Sequence, residues 1–135
     1  MRTAIRTVIA DDEPLARNKL QLLLNAEAGI EVVAECRNGA ETIAAIQTHK
    51  PDLLFLDIQM PDVDGLAVAR HVRELNQTPR PVIVAVTAGV TPEDRQACFD
   101  AGMDDFVMKP FKVSTLKEVV LKYARPKVTD VAATS

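Results

Sequence analysis

The sequence predicts an α/β fold in which the strands of one parallel sheet alternate with helices. Short apolar runs recur along the chain, and each is followed by a longer segment with apolar residues at helical spacing. The runs at 53–56 and 82–86 are apolar throughout, as strands buried on both faces are. Short links and right-handed crossovers then place helices on both faces of a doubly wound sheet.

The strand segments differ in pattern, and the difference predicts their order. Alternation in 30–35 sets Ile30, Val32 and Ala34 on one face and Glu31 and Glu35 on the other, which is typical of an edge strand. The shortest run comes last and indicates the opposite edge. This agrees with the flavodoxin-like (βα)5 fold, a five-stranded parallel sheet in the order 2-1-3-4-5. The strands are expected at 7–10, 30–35, 53–56, 82–86 and 106–108.

Each helix should bury an apolar stripe, and two have clear start signals. Pro14 and Pro92 suit the first helical position, and Thr91 with Asp94 forms a capping box. The helix that begins at Pro92 has few apolar residues, so we expect it to be the least firmly held. The stripes are predicted at Leu15, Ala16, Leu20, Leu23 and Leu24, at Ala40, Ile43, Ala44 and Ile46, at Leu66, Val68, Ala69, Val72 and Leu75, and at Leu116, Val119, Val120 and Tyr123.

Composition and charge argue against several classes of function. The 135 residues, 47% of them hydrophobic, suffice for one domain, expected at 1–124, with 125–135 as a polar tail or linker. A net charge of -3 offers no field that would attract nucleic acid or an anionic membrane. We see neither a membrane span nor a signal peptide, and Cys36 and Cys98 match no metal spacing. A cytoplasmic protein is therefore expected.

Acidic and basic residues that follow predicted strands should meet at the carboxyl edge of the sheet, where open α/β sheets bind ligands. Asp11 and Asp12 follow the first strand, Asp57 ends the third, and Lys109 follows the last. Ionised, these side chains sum to about -2, which a Mg²⁺ ion would neutralise. Such a site suits phosphoryl transfer onto Asp57 as a carboxylate nucleophile.

The motifs at these strand ends resemble those of the receiver domains of two-component response regulators. The resemblance covers about residues 5–124. Its first half is similar to receivers of LytR-type transcription regulators, and residues 98–111 are similar to receivers fused to hybrid sensor kinases. It rests on Asp11-Asp12, the segment 56–61, Asp64-Gly65, Val86-Thr87-Ala88, the segment 102–105 and Lys109-Pro110-Phe111.

The resemblance implies a metal-dependent phosphoacceptor site. Asp57 would be the phosphoacceptor and would ligate Mg²⁺ directly, together with Asp12 and the backbone carbonyl of Gln59. Asp11 would act on the ion through water. The phosphoryl oxygens would be held by Thr87, Ala88 and Lys109.

The resemblance also implies a switch and its partners. Thr87 and Phe106 would form the switch, although this family often carries tyrosine where Phe106 stands. The donor would be a sensor histidine kinase or a histidine phosphotransfer protein, and the 92–124 face could pair two copies. The output domain or effector stays open. The chain would be no enzyme beyond its own phosphorylation and dephosphorylation.

The same residues also allow other interpretations. A flavodoxin-like binding module would need a phosphate-cradling loop after the first strand, where the acidic 11–14 segment stands instead. A metal-dependent hydrolase would need an acid or base near Asp57, but Gln59 occupies the expected place. Alone, 11–14 could be a helix cap. The remaining polar candidates are interpreted as structural or as distant from the site: Asp104-Asp105 as a solvated loop, Cys98 as an apolar helix residue, and His49 and His71 as helix residues away from it.

Overall fold

The computed structural model describes residues 4–27, 29–60, 64–76, 80–88, 91–110 and 112–134, with 124–134 described by backbone alone. Pro61 and Phe111, which belong to the motifs quoted above, lie outside the described residues. The strands are β1 (Ile5–Ala10), β2 (Ile30–Cys36), β3 (Leu53–Asp57), β4 (Val82–Thr87) and β5 (Asp105–Met108). The helices are α1 (Pro14–Asn25), α2 (Gly39–His49), α3 (Gly65–Leu75), α4 (Pro92–Asp100) and α5 (Val113–Thr134).

The strands form one parallel sheet in the order β2-β1-β3-β4-β5, which confirms the predicted fold. Every residue of β3 is buried because strands flank it on both sides and helices cover both of its faces. The carboxyl ends of β1, β3 and β5 lie along one edge, which positions the candidate site. Within the described part of the chain, no helix is both long and apolar enough to cross a membrane.

Alternate residues of the central strands pack into two separate hydrophobic cores. Leu54, Leu56, Ile83 and Ala85 pack with α2, α3 and α4 in one core. The residues between them, such as Phe55 and those at 84 and 86, pack with α1 and α5 in the other. The two cores will be called the α2–α4 core and the α1/α5 core. Because side chains alternate along a strand, Thr87 follows Ala85 onto the α2–α4 face.

A β-bulge in β2 corrects one prediction. Thr7 pairs with Val32, but the next residue of β1 pairs with Ala34, so Val33 is the extra residue. Ile30 and Val32 pack against the α1/α5 core, whereas Val33 and Ala34 pack against the α2–α4 core. The prediction that Ala34 shares a face with Ile30 and Val32 was therefore wrong, because the bulge places Ala34 on the same face as Val33.

The helix starts were predicted better than the helix faces. The capping box of Thr91 and Asp94, with Pro92 in the first turn, is confirmed. In α4 only Cys98 is buried, which agrees with the expectation of weak anchoring. The predicted stripes of α3 and α5 face inward, with Leu66, Leu75 and Tyr123 partly buried.

The predicted stripes of α1 and α2 contain errors. Leu15 is 83% exposed. Ala40 and Ala44 are also exposed, while Thr42 is fully buried in their place. The Thr42 hydroxyl donates to the carbonyl of Asn38 at 2.7 Å, so its polar group is satisfied inside its own helix. A polar residue can therefore face the core here, and the buried face of α2 lies one position away from the predicted stripe.

Asp104 and Asp105 are not a solvated loop, contrary to the sequence interpretation. Asp104 Oδ2 accepts hydrogen bonds from Arg73 at 2.8 Å and from the N–H of Ile83 at 2.9 Å. Asp105 begins β5, and its Oδ2 accepts from Lys122 Nζ at 3.1 Å. Both carboxylates therefore join elements rather than face water alone. Tandem charges before a strand gave no sign of these partners, which come from distant parts of the chain.

Arg73 extends this network to the turn before β5. Its Nε donates to the carbonyl of Gly102 and one terminal nitrogen donates to the carbonyl of Pro81, at 2.8 and 2.7 Å. Gly102 has a φ of +100°, and a Cβ there would lie 2.7 Å from Arg73 Cγ. One guanidinium thus joins α3, the start of β4 and the end of α4.

At the C-terminal end, the backbone of α5 continues to Thr134, through most of the segment assigned to a tail or linker. The division into a domain at 1–124 and a tail at 125–135 stays a prediction.

Candidate functional site

The predicted site residues meet at the carboxyl edge of the sheet. Lys109 Nζ lies 3.1 Å from Asp11 Oδ2 and 3.6 Å from Asp57 Oδ2. Asp12 is exposed beside them, and one carboxylate oxygen from each of the three aspartates lies within 4.8 Å of the others. Three strands thus bring together acidic and basic groups that are far apart in the sequence.

The loop after β1 holds Asp11 by its backbone and one carboxylate oxygen. Its N–H donates to the carbonyl of Cys36 in β2 at 3.0 Å. Its Oδ1 accepts the N–H of Glu13 at 2.8 Å, and its carbonyl accepts a terminal N–H of Arg17 at 2.8 Å. An aspartate that bonds to the backbone two residues on closes a tight turn, which here precedes α1. These contacts leave Oδ2 directed into the site.

Asp57 is fixed in the same way at the end of β3. Its Oδ1 accepts the N–H of Gln59 at 2.9 Å, while its Oδ2 faces Lys109. The start of α3 passes close behind: a Cβ on Gly65 would lie 2.5 Å from Ile58 Cα and 2.8 Å from the carbonyl oxygen of Asp57. Glycine is therefore required at 65 for α3 to pack against the segment that carries Asp57 and Ile58.

Electrostatics in the site oppose the ionised form of Asp57. Burial raises the pKa of Asp57 to about 7, and the charge of Asp11 adds to the effect, against the Gln59 N–H and Lys109, which lower it. The pKa of Lys109 is also raised: burial lowers it, but contact with Asp11 and the charges of Asp57, Asp11 and Glu13 outweigh burial. One lysine does not balance the carboxylates.

The donor set fits a divalent cation of the Mg²⁺ class. Asp11 Oδ2 is buried and receives no directed hydrogen bond among the described residues, because its 3.1 Å contact with Lys109 is an ion pair without hydrogen-bond geometry. A buried carboxylate oxygen that has an ion pair but no directed hydrogen bond still offers a lone pair to a metal ion or a water. Mg²⁺ binds through a few carboxylates and keeps several waters. Asp11, Asp12 and Asp57 could hold such an ion.

Of the residues expected to hold a phosphoryl group, Ala88 and Lys109 line the opening over the site, and Thr87 lies at the end of the neighbouring strand β4. Thr87 is buried at the end of β4, and its carbonyl accepts the N–H of Lys109 at 2.7 Å, which joins the ends of β4 and β5. The Lys109-Pro110 peptide bond is cis. A cavity of about 400 Å³ lies over the site, with room for a phosphoryl group and waters. It is lined by Asp12, Glu13, Asp57, Gln59, Ala88 and Lys109.

Thr87 and Phe106, the two residues predicted to form a switch, share one face of the sheet. Phe106 pairs with Ala85 across β4 and β5, and Thr87 pairs with Met108. Phe106 packs against the α2–α4 core, which is also the face of Thr87. A side chain at 106 can therefore respond to one at 87 without crossing the sheet. His49 and His71 lie on α2 and α3, as expected.

Two residues near the site were not assigned a role from the sequence. Glu13 precedes α1, and its Oε1 lies 3.5 Å from Lys109 Nζ. Its place in the acidic run 11–13 was a usable signal. The exposed Leu15 was not recognisable, because its spacing matched the buried stripe. Both line a second, largely apolar cavity of about 410 Å³, with Ala16, Lys19, Ala88, Lys109 and Pro110.

Comparison with known proteins gives one consistent answer. The family model of the response regulator receiver domain matches residues 7–121. The hybrid signal transduction histidine kinase L of Dictyostelium discoideum is 40% identical over 126 residues, which are 89% of this chain and 7% of that protein. The transcriptional regulatory protein BtsR of Salmonella typhi is 40% identical over 116 residues, which are 86% of this chain and 46% of that protein. The chain spans less than half the length of either relative.

Solved structures agree on the fold. The signal receiver domain of the response regulator NarL from Mycobacterium tuberculosis has a TM-score of 0.84 at 29% identity, covering 90% of this chain and 97% of that one. A two-component response regulator from Clostridium difficile has a TM-score of 0.81 at 27% identity, covering 90% of this chain and 96% of that one.

Proposed function

Because the chain belongs to the receiver domains of response regulators, we propose that it is a signalling switch controlled by phosphorylation of Asp57. The observation that carries the proposal is the convergence of Asp11, Asp12, Asp57 and Lys109 at one sheet edge, beneath a cavity of about 400 Å³. Buried carboxylates beside an amine suit a metal-assisted transfer of an anionic group better than they suit a structural role.

Asp57 would be the nucleophile. The Gln59 N–H holds Oδ1, so Oδ2 is the oxygen that would attack phosphorus while the bond from phosphorus to the donor's leaving atom breaks. Asp12, Asp57 and the Gln59 carbonyl would hold Mg²⁺ directly, with Asp11 acting through water. Bound there, Mg²⁺ would neutralise charge on the carboxylates and the phosphoryl oxygens.

The phosphoryl group would be held by residues at the ends of β4 and β5. Lys109 already lies 3.6 Å from Asp57 Oδ2 and would pair with a phosphoryl oxygen. The Thr87 hydroxyl and the Ala88 N–H would donate to the others. Thr87 would move as it binds, and Phe106 would respond on the same sheet face. The phosphoryl group would be lost by self-dephosphorylation, and we propose no further enzymatic activity for the chain.

The donor would be a sensor histidine kinase or a histidine phosphotransfer protein. The apolar cavity next to the site, with Leu15 at its rim, would accept part of that donor. The proposal includes a cytoplasmic location, because such donors draw their phosphate from ATP. The response would leave through the 92–124 face, to an output domain, an effector or a second copy. Phe99, Met108, Val113 and Leu121 are exposed on that face.

Intact-mass measurement tests the assignment of Asp57. We expect wild type to gain one phosphoryl group from a small acyl phosphate in the presence of Mg²⁺ and to gain none in excess EDTA. Asp57→Asn should gain none in either condition, and Asp100→Asn, at an exposed position on α4, should behave as wild type. Equal labelling of wild type and Asp57→Asn, or labelling in EDTA, would contradict the proposal.

A further inference from the structure

Polar contacts anchor the backbone before Phe106 at Asp104 and Asp105, and after it at Lys109, whose N–H donates to the Thr87 carbonyl at 2.7 Å. Asp104 is held by Arg73 and by the N–H of Ile83, as described above. The Tyr123 hydroxyl donates to Asp105 Oδ2 at 3.2 Å, and the Phe106 N–H donates to Asp105 Oδ1 at 2.8 Å. Any movement at this position is therefore a rotation of the Phe106 side chain rather than a shift of β5.

A charged side chain from α4 lies against the Phe106 ring. The guanidinium carbon of Arg95 is 4.6 Å from the ring centroid, within the distance of a cation–π contact. Arg95 is exposed, and none of the ion pairs among the described residues involves it. Phe106 is half-buried and has no hydroxyl with which to form a hydrogen bond. The ring is thus the partner that the structure shows for this guanidinium.

We propose that Arg95 is a positioning residue that holds the Phe106 ring against α4 through a cation–π contact. The contact joins α4, which buries little else than Cys98, to the anchored strand β5. The contact also makes rotation of the ring toward Thr87 less favourable, because rotation on a fixed backbone moves the ring away from Arg95. The orientation of the ring would then depend on α4 as well as on Thr87.

Fluorine NMR of protein labelled with 4-fluorophenylalanine tests the contact directly. Phe106→Leu assigns the signal of residue 106. In metal-free protein we expect Arg95→Gln to shift or broaden that signal, with Arg95→Lys intermediate. Arg70→Gln, at an exposed position on α3, should leave it unchanged, and the signal of buried Phe55 should not move in any variant. An unchanged signal in Arg95→Gln, or an equal change in Arg70→Gln, would overturn the proposal.

The link to switching rests on the proposed function and needs a second measurement. Beryllofluoride, a phosphoryl mimic, should change the fluorine signal of residue 106. In Arg95→Gln the change should be half complete at a concentration about two- to fivefold lower than in wild type, because the contact that opposes rotation of the ring is absent. An equal requirement in the two proteins would overturn this coupling. If wild type does not respond to beryllofluoride at all, the proposed phosphoacceptor site fails, while the metal-free spectra still decide the Arg95 contact.

Discussion

Burial and the charge of Asp11 both oppose ionisation of the Asp57 carboxyl group. Its pKa is about 7 in the folded chain, against an ordinary value of 3.8. The native state therefore binds more protons than the unfolded state between these two values. The free energy of unfolding of the metal-free protein should fall as pH rises through this window, since stability rises with pH only where the unfolded state holds more protons.

Replacing Asp57 by asparagine should remove this penalty. In metal-free protein, Asp57→Asn should raise the free energy of unfolding by about 1–3 kcal/mol near neutral pH and change it little near the ordinary carboxyl pKa. Urea unfolding in EDTA at both ends of the window measures the difference. Asp100→Asn should keep the wild-type pH dependence. A slope that persists in Asp57→Asn would mean that another group titrates.

At Gly65 no side chain fits between α3 and the backbone of Asp57 and Ile58. In Gly65→Ala, the new Cβ would meet Ile58 Cα at 2.5 Å, a distance that backbone atoms must shift to relieve. We expect a loss of about 1–3 kcal/mol in stability and weaker Mg²⁺ binding, because the loop carrying the Gln59 carbonyl would move. Calorimetry with and without Mg²⁺ measures both effects. Wild-type behaviour in both would show that α3 can retreat freely.

At the scale of elements, the first turn of α1 has an exposed leucine beside the site. Leu15 is 83% exposed and lines the apolar cavity, whereas Leu22 on the same helix is 62% exposed but absent from that lining. Comparing substitutions of the two leucines therefore distinguishes a docking role of Leu15 from an effect of any exposed leucine on α1.

Leu15→Ser should slow phosphotransfer from a histidine-phosphorylated protein about tenfold, because an apolar contact with the donor is lost. Labelling by a small acyl phosphate should stay within about twofold of wild type, since that donor needs no docking surface. Leu22→Ser is the matched control and should transfer normally from both donors. Slower labelling by the small donor as well would indicate damage to the site rather than to docking.

The sequence was sufficient for the elements that follow simple periodicity. Apolar runs identified β3 and β4, and Thr91 with Asp94 identified the start of α4, because each signal is local. The bulge at Val33 could not be predicted, since it depends on how β2 pairs with β1. The acids of the site could be placed from strand ends, but the unsatisfied Asp11 oxygen depends on side-chain directions that no spacing reveals.

At the scale of the whole molecule, metal binding and folding should be linked. The unfolded chain does not bring Asp11, Asp12 and Asp57 together, so an ion bound at the site stabilises only the folded state. Burial raises the pKa of Asp57 and the charge of Asp11 adds to that effect, and the ion would relieve the repulsion between the two carboxylates.

Saturating Mg²⁺ should raise the free energy of unfolding by about 2–4 kcal/mol at a hundred to a thousand times its dissociation constant. Asp12→Ala should lose most of this gain, because Asp12 is the proposed direct ligand. Asp11→Ala should lose less, because its proposed contact is through water. Thermal unfolding in a magnesium titration compares them, and a larger loss for Asp11→Ala would reverse the two assignments.

The network around Arg73 fixes one end of α4, so that the helix can pivot about that end. The C-terminal end of α4 is fixed, because Arg73 binds the Gly102 carbonyl and Asp104 just after the helix. The N-terminal end comes shortly after β4, the strand that carries Thr87. Nine residues make an arm of about 13 Å, so a pivot of about 15° would displace the N-terminal end by about 3 Å and the fixed end hardly at all. The displacement of α4 should therefore be greatest at Thr91 and decrease toward Asp100.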